Sequence, residues 1–237
     1  MESQQTLHRI SGKNSQKLHQ VDDLTLWLLG SNDIEEFNLF ISKVYNEAFS
    51  EAAGSVISAS ELATQTAEYF PHTRMCGVRH VDGTLLGTWG LITKDTHIKE
   101  ASFLLPIESR YGISVSEIQR RMNSSARFVF NGWRTAVDKE ALEKYGIART
   151  KSFFIFDYLL KGLTVDFSGN AEDYLGVAEM ELLVLKYHRR VGIPWHVIGD
   201  PLFFWGRDRF PCAFRMSEFK DYMREHHPER FKFIYES

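Results

Sequence analysis

Cysteine occurs only twice in the 237 residues, as Cys76 and Cys212. That excludes a disulfide framework and fits a reducing, cytoplasmic compartment. Neither thiol has the sequence context of a nucleophile. Long apolar runs are missing too: no stretch approaches the roughly 18–20 residues a membrane span requires, so no integral membrane segment is expected. Positive charge is not in excess, with 28 Lys and Arg against 31 Asp and Glu and a net charge of −3, which argues against a nucleic-acid partner held by bulk electrostatics. The nine histidines, His226 and His227 among them, lack metal-ligand spacing, so no metal is expected. Residues 1–20 are polar and lack the apolar core of a signal peptide. They read as a mobile tail ahead of one domain over 21–237.

What is present suffices for a packed core: 43% of residues are hydrophobic, with 18 Phe. The apolar run at 24–29, closed by Gly30, reads as a buried strand. Asn32 with Glu35, and Ser58 with Glu61, are helix starts of the capping-box kind, and Pro71 stops the second helix. Segments 74–80 and 85–93 flank Asp82-Gly83, a hairpin signal. Residues 104–108 read as extended, and Ser114 with Glu117 start a short helix. Residues 126–130 form a strand ended by Asn131-Gly132, followed by a polar stretch to Tyr145. Further strands fall at 174–178, 194–198 and 210–216. One helix spans 180–191, with Leu183, Tyr187 and Val191 on its apolar face and Gly192 as its stop; another starts at 217. The order describes a single α/β domain, a mixed central sheet flanked by helices on both faces.

The turn Gly146-Ile147-Ala148 runs into a segment where Phe153, Phe156, Leu160 and Leu163 recur at helical spacing. Small residues opening a helix leave backbone N–H groups at the positive end of its dipole, a site suited to phosphate. Lys144, Arg149 and Lys151 add charge around it. An ordinary loop and amphipathic helix would give the same pattern.

The order of elements, with Glu143-Lys-Tyr-Gly-Ile-Ala148 after the fourth sheet strand, resembles the GNAT acyltransferases, whose pyrophosphate loop reads Gln/Arg-x-x-Gly-x-Gly/Ala. Glu143 departs from that pattern. Asp82-Gly-Thr-Leu-Leu-Gly-Thr88, Leu104-Leu-Pro-Ile-Glu108 and Ile198-Gly-Asp-Pro201 with Phe204-Trp-Gly206 resemble the N-acyl amino acid synthases and acyl-homoserine lactone synthases within that family. The resemblance implies acyl transfer from acyl-CoA or acyl carrier protein to a small-molecule amine. Gly146, Ile147, Ala148, Arg149 and Thr150 would offer N–H groups to the donor diphosphate. Lys144 and Arg149 would supply charge, and the strand around Phe128 and Phe130 would pair with pantetheine. Lys186, Arg189 and Arg190 extend the basic rim toward an acidic carrier protein.

Proton handling fits the pattern less well. The related synthases carry Glu-x-x-Arg entering the fourth strand; here it is Ser124-Ser-Ala-Arg127, with Arg127 kept and the glutamate missing. The position of the family's acidic tyrosine holds His188, beside Tyr187, with Arg189 and Arg190 expected to hold its pKa down. Glu179 and Glu108 are the alternative proton acceptors. Trp89, Trp133, Trp195 and Trp205 suit either an acyl pocket or a core. Three functions stay open: fatty acyl transfer to an amino acid or similar metabolite, short-chain N-acetyl transfer, and non-catalytic binding of an acyl thioester or lipid.

Overall fold

The computed structural model describes residues 11–54, 56–98, 103–147, 152–164, 171–204 and 206–236. Strand β1 (Gln16–Val21) pairs antiparallel with β2 (Leu24–Leu28). Residues 16–20 are therefore sheet and not tail. Leu18 and Val21 are the hydrophobic residues of this edge strand that pack on the core, beside the His19 ring, so its apolar signal is weak. Helices α1 (Ile34–Ala53) and α2 (Ala59–Tyr69) follow. The hairpin is β3 (Thr73–His80) and β4 (Leu85–Asp95).

Residues 104–108, read as extended, instead lead into α3 (Pro106–Tyr111), with proline in its first turn where no N–H is needed. After α4 (Val115–Arg121) comes β5 (Phe128–Val137), which runs well past the expected stop at Asn131-Gly132. The polar stretch before Tyr145 holds α5 (Lys139–Lys144), capped by Asp138, whose Oδ1 accepts the Ala141 N–H at 2.9 Å. Helix α6 (Ser152–Thr164) crosses to β6 (Tyr174–Glu181), and α7 (Leu182–Arg190) follows at once. Strands β7 (His196–Val197), β8 (Leu202–Phe204) and β9 (Arg207–Arg215) precede α8 (Met216–His226) and α9 (Pro228–Tyr235).

Among the described residues the sheet order is β1-β2-β3-β4-β5-β6-β9-β7, with β8 on β9. Helices α1 to α4 bury one face around Phe37, Ile41, Leu62 and Ile118. Helices α6 to α9 bury the other around Trp89, Phe156, Leu159 and Phe219. All neighbouring strands are antiparallel except β5 and β6, which need the α6 crossover to run parallel.

That parallel pair is short. It runs from Phe128 opposite Tyr174 to Asn131 opposite Val177 and then ends. Beyond it β5 follows β4 through a bulge: Thr88 faces Ala136 and Gly90 faces Trp133, leaving Arg134 and Thr135 against Trp89. Arg134 sits at φ +48, a left-handed conformation costing a non-glycine residue about 1–2 kcal/mol. Its guanidinium offsets that by donating to Asn38 Oδ1 (2.9 Å), Thr66 Oγ1 (2.6 Å) and the Leu62 carbonyl (2.8 Å). The bulge lies three residues beyond the last β5–β6 pair, where the sheet is open.

Candidate active site

A cavity of about 670 Å³ occupies the opening and is lined from both faces of the sheet. Strand alternation decides what each face receives. Ala178 and Met180 of β6 belong to the core under α6 and α8. Glu179, between them, points the other way, toward α1 and α3.

On that side Glu179 is 7% exposed and ion-paired to Arg110 Nη1 through Oε2, while Oε1 is buried without a hydrogen-bond partner among the described residues. Burial raises the carboxyl pKa, opposed by the charge and hydrogen bond of Arg110 and by the charge of Arg209. Arg110 also lies over the Phe204 ring at 4.6 Å. Tyr45 and Arg134 complete this polar wall.

The other side is apolar. Trp89 packs on Phe156 (4.9 Å between ring centroids), and Phe130, Leu160, Leu163 and Phe214 extend the surface. His188 is buried in it, its Nδ1 accepting the Trp195 indole N–H at 3.2 Å, which leaves its proton on Nε2. Burial lowers its pKa to about 4. The direction matches expectation, but the cause does not: Arg189 and Arg190 are exposed and desolvation does the work. The helix face also differs. Leu185 and His188 are the buried residues of α7, and Leu183 is 68% exposed.

Glu179, His188, Phe130 and Ile147 thus meet at one cavity, the first two on opposite sides. Glu108 and Arg127 do not line it. Glu108 is spent on structure, accepting from Leu105 N (3.0 Å), Val115 N (3.2 Å) and Lys94 Nζ (2.7 Å). Arg127 pairs with Asp95 at 2.7 Å, and Phe128 stacks on Tyr174 at the paired end of the strands.

The glycine turn also departs from expectation. Gly146, at φ +64, donates to the Glu143 carbonyl (3.0 Å), and Ile147 donates to Leu142 (2.9 Å). This is the hydrogen-bond pair of a Schellman helix end. It consumes both N–H groups in capping α5, so neither faces a phosphate. Lys144 is exposed, its Nζ over the Tyr145 ring at 4.9 Å. Ala148, Arg149, Thr150, Lys151 and Trp205 lie outside the described residues. Arg110, Arg134 and Tyr45 were not singled out from sequence. Arg110 stands two residues beyond Glu108, just outside the Leu104–Glu108 motif. No His, Cys, Asp or Glu cluster suited to a metal exists among the described residues, and no described helix is long and apolar enough to cross a membrane.

No protein-family model and no curated protein matches the chain. Solved structures do. FeeM, an N-acyl amino acid synthase from uncultured soil microbes, superposes with a TM-score of 0.56 at 14% identity, over 84% of this chain and 94% of its own. A yellow fever mosquito protein described as an arylalkylamine N-acetyltransferase gives 0.53 at 12% identity, over 81% and 87%. An uncharacterized protein of Bacillus halodurans gives 0.51 at 10%, over 87% and 91%. These likenesses fix the architecture: the chain has the GNAT fold, as its motifs implied.

Proposed function

We propose that the protein is an N-acyltransferase, moving a fatty acyl group from acyl-CoA or acyl carrier protein to the amine of an amino acid or similar metabolite. The observation that carries this reading is the free, buried Oε1 of Glu179 in a cavity that threads the sheet between charged and apolar walls. Acyl transfer to an amine needs an acceptor for the ammonium proton, and a carboxylate with a raised pKa is the stronger base. His188, with a pKa near 4, is too weak for that task. Of the two proton-handling candidates that reach the cavity, Glu179 is therefore the base. The Tyr187 phenol, whose pKa burial raises further, lines the same cavity and can return a proton to the thiolate. The apolar wall suits a hydrocarbon chain, and exposed Lys186, Arg189 and Arg190 suit CoA phosphates or an acidic carrier surface.

The test is direct. Purified protein incubated with lauroyl-CoA and a pool of amino acids should release free CoA and form an N-acyl amide of the corresponding mass. Acyl-CoA binding without amide would leave a non-catalytic binding domain. Amide from acetyl-CoA alone would favour the short-chain reading.

A further inference from the structure

Trp89 sits in β4 opposite the bulge of β5, 5% exposed, its ring against Phe156 and 5.9 Å from the His188 ring. Its indole N–H is buried and has no acceptor among the described residues. Indole nitrogen only donates, and leaving a buried donor unmade is unfavourable. Trp195, on the same apolar wall, shows the ordinary solution, since His188 Nδ1 accepts its N–H. Trp89 Nε1 instead points over Gly132. A β-carbon built there would lie 3.6 Å from the indole nitrogen and 3.6 Å from Ala178 Cβ. That space lies one residue past the last parallel pair, Asn131 and Val177, and Trp89, Gly132 and Ala178 all line the cavity. A polar hook thus waits at the point where the two strands part.

We propose that the Trp89 indole N–H holds the carbonyl oxygen of the bound acyl group. The inference rests on the acyltransferase reading and assigns a residue to its oxygen. The amine nitrogen attacks the carbonyl carbon, a C–N bond forms, and the π electron pair moves to oxygen. Trp89 hydrogen-bonds that oxyanion without giving up its proton. The ammonium proton goes to Glu179 on the far side of the opening. Collapse restores the carbonyl, breaks the C–S bond and expels the thiolate, which takes the phenolic proton of Tyr187; that proton is replaced from solvent, to which Glu179 releases its own. Apolar walls strengthen a single donor, because no water competes for the oxygen.

Trp89→Phe keeps an aromatic ring and removes the N–H. We expect kcat to fall about 10²-fold, the scale of losing one oxyanion donor, with lauroyl-CoA affinity within about twofold of wild type. The second measurement uses the wild-type protein labelled with ¹⁵N at tryptophan. The Trp89 indole resonance, identified by its loss in W89F, should move downfield with lauroyl-CoA and stay in place with CoA. Full turnover in W89F, or an indole that ignores the acyl group, overturns the assignment and leaves the acyltransferase reading standing. Failure of the wild-type protein to transfer or bind any acyl group overturns both. Should W89F not fold, the resonance is assigned by elimination, from Phe variants of the other four tryptophans, and the wild-type shift then decides.

Discussion

The two halves of the cavity are built from opposite chemistry, although one strand supplies both. Toward α1 and α3, β6 presents Glu179 to Arg110. Toward α6 and α8 it presents Ala178 and Met180 to a wall of aromatic rings. Both halves bury a titratable group, and desolvation acts on each in the same sense, against charge. The outcomes are opposite because the charged forms differ. Burial makes the Glu179 carboxylate more basic and the His188 imidazole less so. The same dry interior that fits one residue to accept a proton disqualifies the other. On the proposed reaction, the ammonium proton would go to the polar side and the acyl chain to the apolar one.

Glu179→Gln should break this comparison most severely. We expect kcat to fall on the order of 10²–10³-fold with donor binding intact. The acid limb of the wild-type kcat profile should lie above the ordinary carboxylate range, because the pKa is raised, and should vanish in the variant. Stability should move the other way. A raised folded-state pKa contributes stability that is full below the unfolded value of 4.5 and lost as pH rises through the folded value. Thermal melts should therefore show wild type losing ground to the Gln variant on going from pH 4 to 8. Unchanged turnover would remove Glu179 as the base.

The apolar half yields a contrasting result at His188. From sequence alone, alanine there should cost about 10²-fold in turnover. A neutral imidazole buried beside Trp195 argues instead for a loss of about 2–4 kcal/mol in stability, from the cavity and the orphaned indole N–H. Turnover of the folded variant should fall less than about tenfold. The pH signature is also the reverse of that at Glu179. With a folded pKa near 4 against 6.5 unfolded, His188 contributes stability above pH 6.5 that is lost as pH falls toward 4. The window is worth about 3 kcal/mol at 1.36 kcal/mol per pKa unit. His188→Gln, which keeps a carbonyl for Trp195, should flatten that acid loss in melts between pH 6.5 and 4. A steep fall in turnover without loss of stability would return His188 to the chemistry.

The sequence carried the architecture further than the site. Asp82-Gly83, the Ser58–Glu61 box and Gly192 act locally, and each was legible because a turn or cap needs only its own few residues. Gly146 shows where local reading stops. Its N–H bonds and those of Gly192 make the same helix-ending pair. Gly192 is legible because it follows a helix that opens on four apolar residues; Gly146 is not, because α5 is a polar six-residue helix with no periodicity to see. The bulge at Arg134 depends on partners in α1 and α2 nearly 70 or more residues away. Nothing in Trp133-Arg134-Thr135 announces it. Of the two carboxylates, Glu179 is the better base candidate from its place at a strand end, and the backbone N–H groups and Lys94 gathered around Glu108 account for the other.

The gentlest test of the comparison works one methylene at a time. If the apolar half holds the chain, each added CH₂ that reaches the walls should improve kcat/KM by up to about 0.8 kcal/mol, or roughly fourfold. The gain should stop when the chain fills the space among Phe156, Leu160, Leu163 and Phe214. A donor series from acetyl to palmitoyl thus reads the length of the apolar half as the point where the curve flattens. Leu160→Trp should move that point to shorter chains, because the side chain projects into the cavity, while leaving acetyl transfer near its wild-type rate, since Glu179 lies across the sheet. A series that falls from acetyl onward would mean that the apolar wall is core alone. The polar half would then describe a short-chain N-acetyltransferase.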